Sequence, residues 1–331
     1  MSTGKQRFPR GLRRRHILEI TLTLFRQILV MVLLVATGML CTKRGILTVD
    51  MAKGLCNLLL VVVIPVLMIH LFQTERTPEK LRGFWMALII SFAVHLGCIL
   101  ISTLLIPRRP GQNDRYKVER MAAVFPNCAF MGYPLLLITV GEVGTFYGMA
   151  FNVAFSVFNW TWTVAALGGK KEISARKILL SPGILGAAVG MALFLLSIPL
   201  PDVLYTFTGY IYSLNTPLAM LTTGVILSQV KPVSIVSDPY IYRVVFLRNI
   251  LQPGLLLLVL YLAGAGSWFQ GSRLVAVTMV ICASCSSAMS SIQFPARYGG
   301  DSIHGARLVA MSTAAALVTL PLIATVANQI L

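Results

Sequence analysis

Hydrophobic residues in this chain come in long, nearly unbroken runs. They show neither the two-residue alternation of a strand nor the narrow stripe of a surface helix. Apolar segments lie at about 27–42, 55–72, 84–106, 119–140, 145–168, 178–200, 204–229, 241–263, 274–294 and 305–329. About 20 residues of helix span the hydrocarbon of a bilayer. The pattern therefore predicts ten transmembrane helices, with the fourth and ninth interrupted by polar and helix-breaking residues. Residues 1–16 read as a basic tail, and 17–26 either extend the first helix or lie along the interface. Short connectors make consecutive helices antiparallel neighbours. The longest polar connector, 107–118, and the linker 169–177 are the expected water-exposed loops.

Composition sharpens this picture. Of 331 residues 56% are hydrophobic and only 12% charged, with a mean hydropathy of +0.80. Soluble domains carry about 25% charged residues, so this chain cannot clothe a soluble globule. The net charge of +17 sits in short clusters between apolar runs, without the aromatic interleaving of a nucleic-acid face. Lys43, Arg44, Lys53, Arg108, Arg109, Arg115, Lys117, Arg120, Lys170, Lys171, Arg176, Lys177, Lys231 and Arg297 fall on one side of the predicted topology. The positive-inside rule makes that side cytoplasmic and puts both termini outside, although the basic tail itself argues for the inside. The six cysteines lie in or beside apolar runs, and Cys282 and Cys285 lack a second pair or a nearby His for metal binding. They read as packing residues.

The two halves of the chain echo each other. Gly38, Met39 and Pro65 match Gly190, Met191 and Pro217 at an offset of 152, while Asn127, Ala129, Gly141 and Glu142 match Ser286, Ala288, Gly300 and Asp301 at 159. Two five-helix repeats follow, and five spans per repeat force opposite topologies. In the fourth segment, Pro126, Asn127, Gly132 and Pro134 sit at mid-membrane; in the ninth, Ser284, Ser286, Ser287, Ser290, Ser291, Gln293 and Pro295 do. Proline removes a helix hydrogen bond and glycine frees the backbone. Unwound backbone at that depth must line a cavity or lie buried in protein. Crossed broken helices would turn half-helix N-termini toward the midplane, where their N–H groups and dipoles suit an anion such as a carboxylate.

The run from Asn127 to Pro134, Asn-Cys-Ala-Phe-Met-Gly-Tyr-Pro, resembles the N-x-G-F-x-G-x-P signature of the auxin efflux carrier family of membrane transporters. Gly38-Met-Leu with Lys43-Arg44-Gly45-Ile46-Leu47, Ile64-Pro65, Ser181-Pro182, Pro217-Leu218 with Gly224, and Tyr298-Gly-Gly-Asp301 resemble further landmarks of that family. The resemblance implies crossovers in helices 4 and 9. It also implies a scaffold of helices 1, 2, 6 and 7 and a transport domain of 3–5 and 8–10 that moves like an elevator, carrying anions such as auxin, malate or malonate. One departure stands out. Ser286 takes the place of the proline usual at the ninth-helix crossover, and Ser290 falls where Asn is common.

Single residues add candidates. Asn152, Ser156, Asn159 and Thr163 form one polar stripe on helix 5, which either bonds neighbouring helices or lines the substrate path. Arg248, two turns into helix 8, either snorkels to the headgroups, the preferred reading, or pairs with a substrate carboxylate. His70 and His95 are isolated and read as interface or packing residues. All eleven acidic residues fall in loops or at helix ends, which argues against ion coupling through a buried carboxylate. Glu142 and Asp301, equivalent in the repeats, read first as turn residues.

Together these features predict an all-α integral membrane protein. After the tail 1–16 come a first repeat (17–168), a cytoplasmic linker (169–177) and a second repeat (178–331). The expected function is secondary transport of a small organic anion across the cell membrane. The expected binding residues are Asn127, Gly132, Pro134, Ser286, Ser290, Asn152, Asn159 and Arg248, with no cofactor and no metal. Membrane lipids are the other expected partner, nucleic acid is not, and a homodimer is left open. A sensor of the same fold is the rival reading. No His/Glu cluster, hydrolytic triad or phosphate loop suggests an enzyme.

Overall fold

A computed structural model describes residues 26, 29–108, 114–169, 174, 176, 179–229, 238–298 and 300–331. The basic tail, residues 17–25 and much of the linker 169–177 lie outside them. The described residues are helical throughout apart from turns and one isolated β-bridge. In chain order the helices are α1 (Leu29–Lys43), α2 (Val49–Leu71), α3 (Pro78–Leu105), α4 (Arg115–Val124), α5 (Cys128–Thr139), α6 (141–168), α7 (Pro182–Leu196), α8 (Asp202–Ser228), α9 (Pro239–Leu262), α10 (Ser272–Ala283), α11 (Ser290–Tyr298) and α12 (Ser302–Ile330). Among the described residues five of them, α2, α3, α8, α9 and α12, are long and apolar enough to cross a membrane.

Several helices begin a few residues before the apolar runs do, because polar residues build their first turns. Thr77 accepts the Lys80 N–H at the start of α3, with Pro78 and Glu79 following. Asp238 accepts the Tyr240 N–H at the start of α9, and Asp301 the His304 N–H at the start of α12. Each cap satisfies an amide that the helix cannot. Inside α2, α5 and α9 a π-helical turn ends two residues before a proline: Leu59–Val63 before Pro65, Cys128–Gly132 before Pro134 and Leu247–Leu251 before Pro253. The proline ring has no N–H and crowds the carbonyl four residues back, and a widened turn takes up both defects without breaking the rod. A fourth π turn, Asn159–Thr163 in α6, coincides with the polar stripe.

Two groups of helices pack side by side. In one, α2 lies against α7 and α8; in the other, α3, α6, α10, α11, α12 and α4 share a core. The apolar interior runs through both, from Leu67, Met68 and Phe72 to Phe146, Phe151 and Val280. Leu104, Val203 and Leu262 project from the outside of the bundle, the arrangement expected where the solvent is lipid.

Close approach of α1 and α8 depends on two glycines. A Cβ on Gly38 would overlap the Leu221 carbonyl, and one on Gly224 the Val35 carbonyl. Neither obstacle is the end of a flexible side chain, so a substitution must push the helices apart. Gly224→Val should lower the thermal midpoint of the detergent-purified protein, with a cost of about 1–3 kcal/mol. Gly97→Ala, where a Cβ meets open space, should leave the midpoint where it was.

Candidate functional site

The fourth and ninth segments are both broken, and the breaks meet. Between α4 and α5 the chain leaves helical geometry at 125–127, and between α10 and α11 at 284–289. The two gaps lie antiparallel. The Asn127 N–H donates to the Ser286 carbonyl at 2.7 Å and the Ala288 N–H to the Phe125 carbonyl at 2.8 Å, framing the Pro126–Ser287 bridge. Amides with no helical partner are thus satisfied by each other, as buried backbone requires. The second gap is the longer one, and it carries Ser286 where a proline would have stiffened it. Serines hold it instead: the Ser287 Oγ donates to the Ala122 carbonyl, and the Ser287 N–H donates to the Ser312 Oγ of α12, which itself donates to Asn249 Oδ1.

Arg248 closes one side of the crossing. Its side chain is 1% exposed. One Nη donates to the Ala123 and Val124 carbonyls, at 3.1 and 3.0 Å, and the other to the Ala283 carbonyl. These are the last carbonyls of α4 and α10, where two helix dipoles present their negative ends. A planar guanidinium reaches both ends at once, which a lysine could not. The snorkelling reading of Arg248 is therefore corrected: the side chain turns into the protein, because three orphaned carbonyls outweigh the headgroups. It does not line the cavity either.

On the opposite side lies a cavity of about 140 Å³. About 10–15 Å³ on this scale holds one water, so it suits a molecule of roughly ten heavy atoms. Its walls are Leu60 and Ile64 of α2, residues 126–130 at the first break, Asn152, Phe155, Ser156, Asn159 and Trp160 of α6, Ser181, Pro182 and Gly183 leading into α7, and Ala288, Met289, Ser290, Gln293 and Phe294 at the second break. It therefore sits between the two helix groups. The first turns of α5 and α11 both border it, and a helix start has amides without intrahelical acceptors. Asn159 Oδ1, Ser181 Oγ and Ser290 Oγ are buried with no hydrogen-bond partner among the described residues, as befits groups that bind solute or water. Among the described residues, no charged side chain lines the cavity. Trp160, Ser181 and Pro182 also line a second opening, of about 310 Å³, flanked by Arg176 and Arg297.

Of the eight residues singled out from the sequence, Asn127, Ser290, Asn152 and Asn159 line this cavity. The other four lie behind it. A Cβ at Gly132 would come within 3.0 Å of Cys285 Sγ, so glycine lets the broken helices touch. Pro134 starts the straight part of α5, Ser286 supplies the crossing carbonyl, and Arg248 holds the helix ends. Sequence reasoning named Ser181 only as a family landmark and Gln293 only within the polar run of the ninth segment, and it missed Asn215, whose Nδ2 donates to the Ala129 carbonyl. Asn215 stands two residues before Pro217, which the sequence echo matches to Pro65, and that match was the available signal. His95 packs among Phe125, Phe151, Phe155 and Phe158, and His70 stacks on Tyr205 and Tyr212 while bonding Thr208. Both are packing histidines.

Removal of the guanidinium should be costly. Arg248→Met leaves three buried carbonyls unpaired and should destabilise the fold by about 3 kcal/mol or more, read as a lower unfolding midpoint in detergent. Arg248→Lys should recover only part of that loss. Equal midpoints for wild type and Arg248→Met would mean that the guanidinium does not hold the helix ends together.

A comparison with curated proteins returns no match. The profile described as a membrane transport protein, that of the auxin efflux carriers, matches residues 23–324. That stretch takes in both broken helices, the cavity and Arg248, and so the chain belongs to the auxin efflux carrier family of membrane transport proteins.

Proposed function

We propose that this membrane transporter carries a small organic anion, a carboxylate such as malate, malonate or an auxin-like acid, across the cell membrane. The observation that carries this reading is the cavity into which the first turns of α5 and α11 open together. Two helix N-termini supply amides and positive dipole ends, while the lining supplies neutral Asn, Ser and Gln groups and apolar walls. An anion can be held there without a basic side chain and released without breaking a salt bridge. Asn127 and Ser290 would touch the carboxylate, and Asn152 and Asn159 would orient the rest of the molecule. Arg176 and Arg297, beside the wider opening, would raise the local concentration of anions at the mouth.

The mechanism we propose is elevator-type alternating access. On this reading there are ten spans in two inverted repeats, α4 with α5 and α10 with α11 each counting as one. The scaffold is α1, α2, α7 and α8, and the moving domain is α3–α6 with α9–α12. The position of the cavity between these groups supports the division, since sliding one past the other would carry a solute held at the crossing. On this reading the positive-inside rule would put the Arg176 and Arg297 opening on the cytoplasmic side.

Asn127→Ala should reduce carboxylate flux in proteoliposomes at least tenfold while the protein folds and inserts normally, because only the side chain is lost and the hydrogen bond from the backbone N–H to the Ser286 carbonyl remains. Ser290→Ala should weaken uptake less. Near-normal flux in Asn127→Ala would sink the assignment of the site, and ligand binding without any flux would identify a sensor.

A further inference from the structure

The cavity at the crossing has a second polar wall, and that wall belongs to the other helix group. α7, which packs on α2, starts at the cavity edge, where Ser181, Pro182 and Gly183 line it. Ser181 immediately precedes the helix and has the extended backbone of an N-cap, with ψ at 135°. A serine there ordinarily folds its hydroxyl back to accept an amide of the first turn. This one makes no such bond. Its Oγ has no hydrogen-bond partner among the described residues, although Ser181 is only 4% exposed. A polar atom buried in that way calls for a solute or a water.

The absent cap leaves donors free as well. Pro182 has no N–H, and the first amide of α7 with an acceptor is that of Leu185, which donates to the Ser181 carbonyl at 3.0 Å. Between them, the N–H groups of Gly183 and Ile184 have no acceptor among the described residues. Gly183 has no side chain to shade its own amide. A Cβ there would stand 3.4 Å from Ser156 Oγ and 3.7 Å from Asn152 Nδ2. The polar stripe of α6 thus meets the first turn of α7 and brings a carboxamide nitrogen to the same place. One hydroxyl, two backbone amides and that nitrogen form a second set of donors, at the positive dipole end of a 15-residue helix.

A solute with a single carboxylate can satisfy one set of donors only. A carboxylate at each end would meet both, one on each helix group. Size agrees, since a four- or five-carbon dicarboxylate has roughly eight or nine heavy atoms and the cavity suits about ten. Charge agrees too. Two negative charges at this depth need positive charge nearby. Ser181 and Pro182 also line the second opening, where Arg176 and Arg297 stand, so full positive charge lies toward the α7 side.

We propose that Ser181 and the first turn of α7 form a second carboxylate subsite, so that the cavity takes a dicarboxylate with one end at the crossing and the other on α7. The assignment rests on the carrier reading above, which puts the first carboxylate at Asn127 and Ser290. A monocarboxylate of equal length leaves the α7 donors unpaired, and unpaired buried donors cost affinity.

The test measures binding by titration calorimetry to the full-length protein in lipid nanodiscs at neutral pH. Succinate and glutarate are compared with butyrate and valerate, which have the same chain lengths and one carboxylate fewer. Wild type should bind the better dicarboxylate at least tenfold more tightly than the matching monocarboxylate. Ser181→Ala removes the hydroxyl, and Ser181→Asn supplies a side chain that can cap the Gly183 and Ile184 amides itself. Neither breaks a hydrogen bond of the folded protein, because the hydroxyl makes none among the described residues. In both variants the preference should shrink several-fold, whereas Asn127→Ala should weaken both acids alike and keep the preference. Equal affinities in wild type would overturn the subsite, and so would a preference undiminished in both Ser181 variants. If monocarboxylates bind through Asn127 and dicarboxylates bind no better, the carrier reading stands and the subsite falls. If none of the four acids binds, both fall.

Discussion

Peptide groups buried in a membrane must find partners within the protein, and everything distinctive about this fold follows from how two interrupted helices meet that demand. Each break leaves one half-helix ending in bare carbonyls and another beginning with bare amides. Crossing the breaks antiparallel pairs the peptide groups in the gaps. Arg248 then gathers the carbonyl ends of α4 and α10 on one side. The amide ends of α5 and α11 are left on the other, and there the cavity lies. A buried guanidinium and a cavity bordered by helix starts are thus the two faces of one arrangement.

This division fits the proposed anion site, which has no charged side chain among its described lining residues. The positive charge that the crossing can use is committed to its carbonyl face, where desolvating a guanidinium is offset by three hydrogen bonds. The cavity face works with partial charges alone, supplemented by neutral side chains of α6, α7 and α11. Weak, distributed attraction suits a protein whose solute must leave again. Among the described residues, the charged side chains nearest the cavity are Arg176 and Arg297, beside the second opening.

A similar economy governs the ends of the helices. Asp238 and Asp301 cap α9 and α12 and at the same time face side chains of other helices. Their local role in capping was visible in the chain, as residues placed just before apolar runs. Their second role depends on α4, which delivers Glu119 and Arg115 to the same region. The cluster of Glu119, Arg243 and His304 exists only because three helix starts converge there.

The sequence by itself determined the membrane class, nearly every helix and the position of both breaks, because these depend on local hydropathy, on proline and glycine, and on polar residues where lipid would not tolerate them. It also singled out Asn127, Ser290, Asn152 and Asn159, since an amide or hydroxyl at that depth needs a partner wherever it lies. Tertiary structure decided which partner. Arg248 could have pointed to headgroups, solute or backbone, and only the approach of α4 and α10 to α9 selected the backbone. Glu119 looked like a loop-end acid until α9 and α12 covered it, and Ser181 and Gln293 acquired meaning only when α7 and α11 closed the cavity. Local physics specifies what a residue needs; which element supplies it is a long-range fact that no single segment contains.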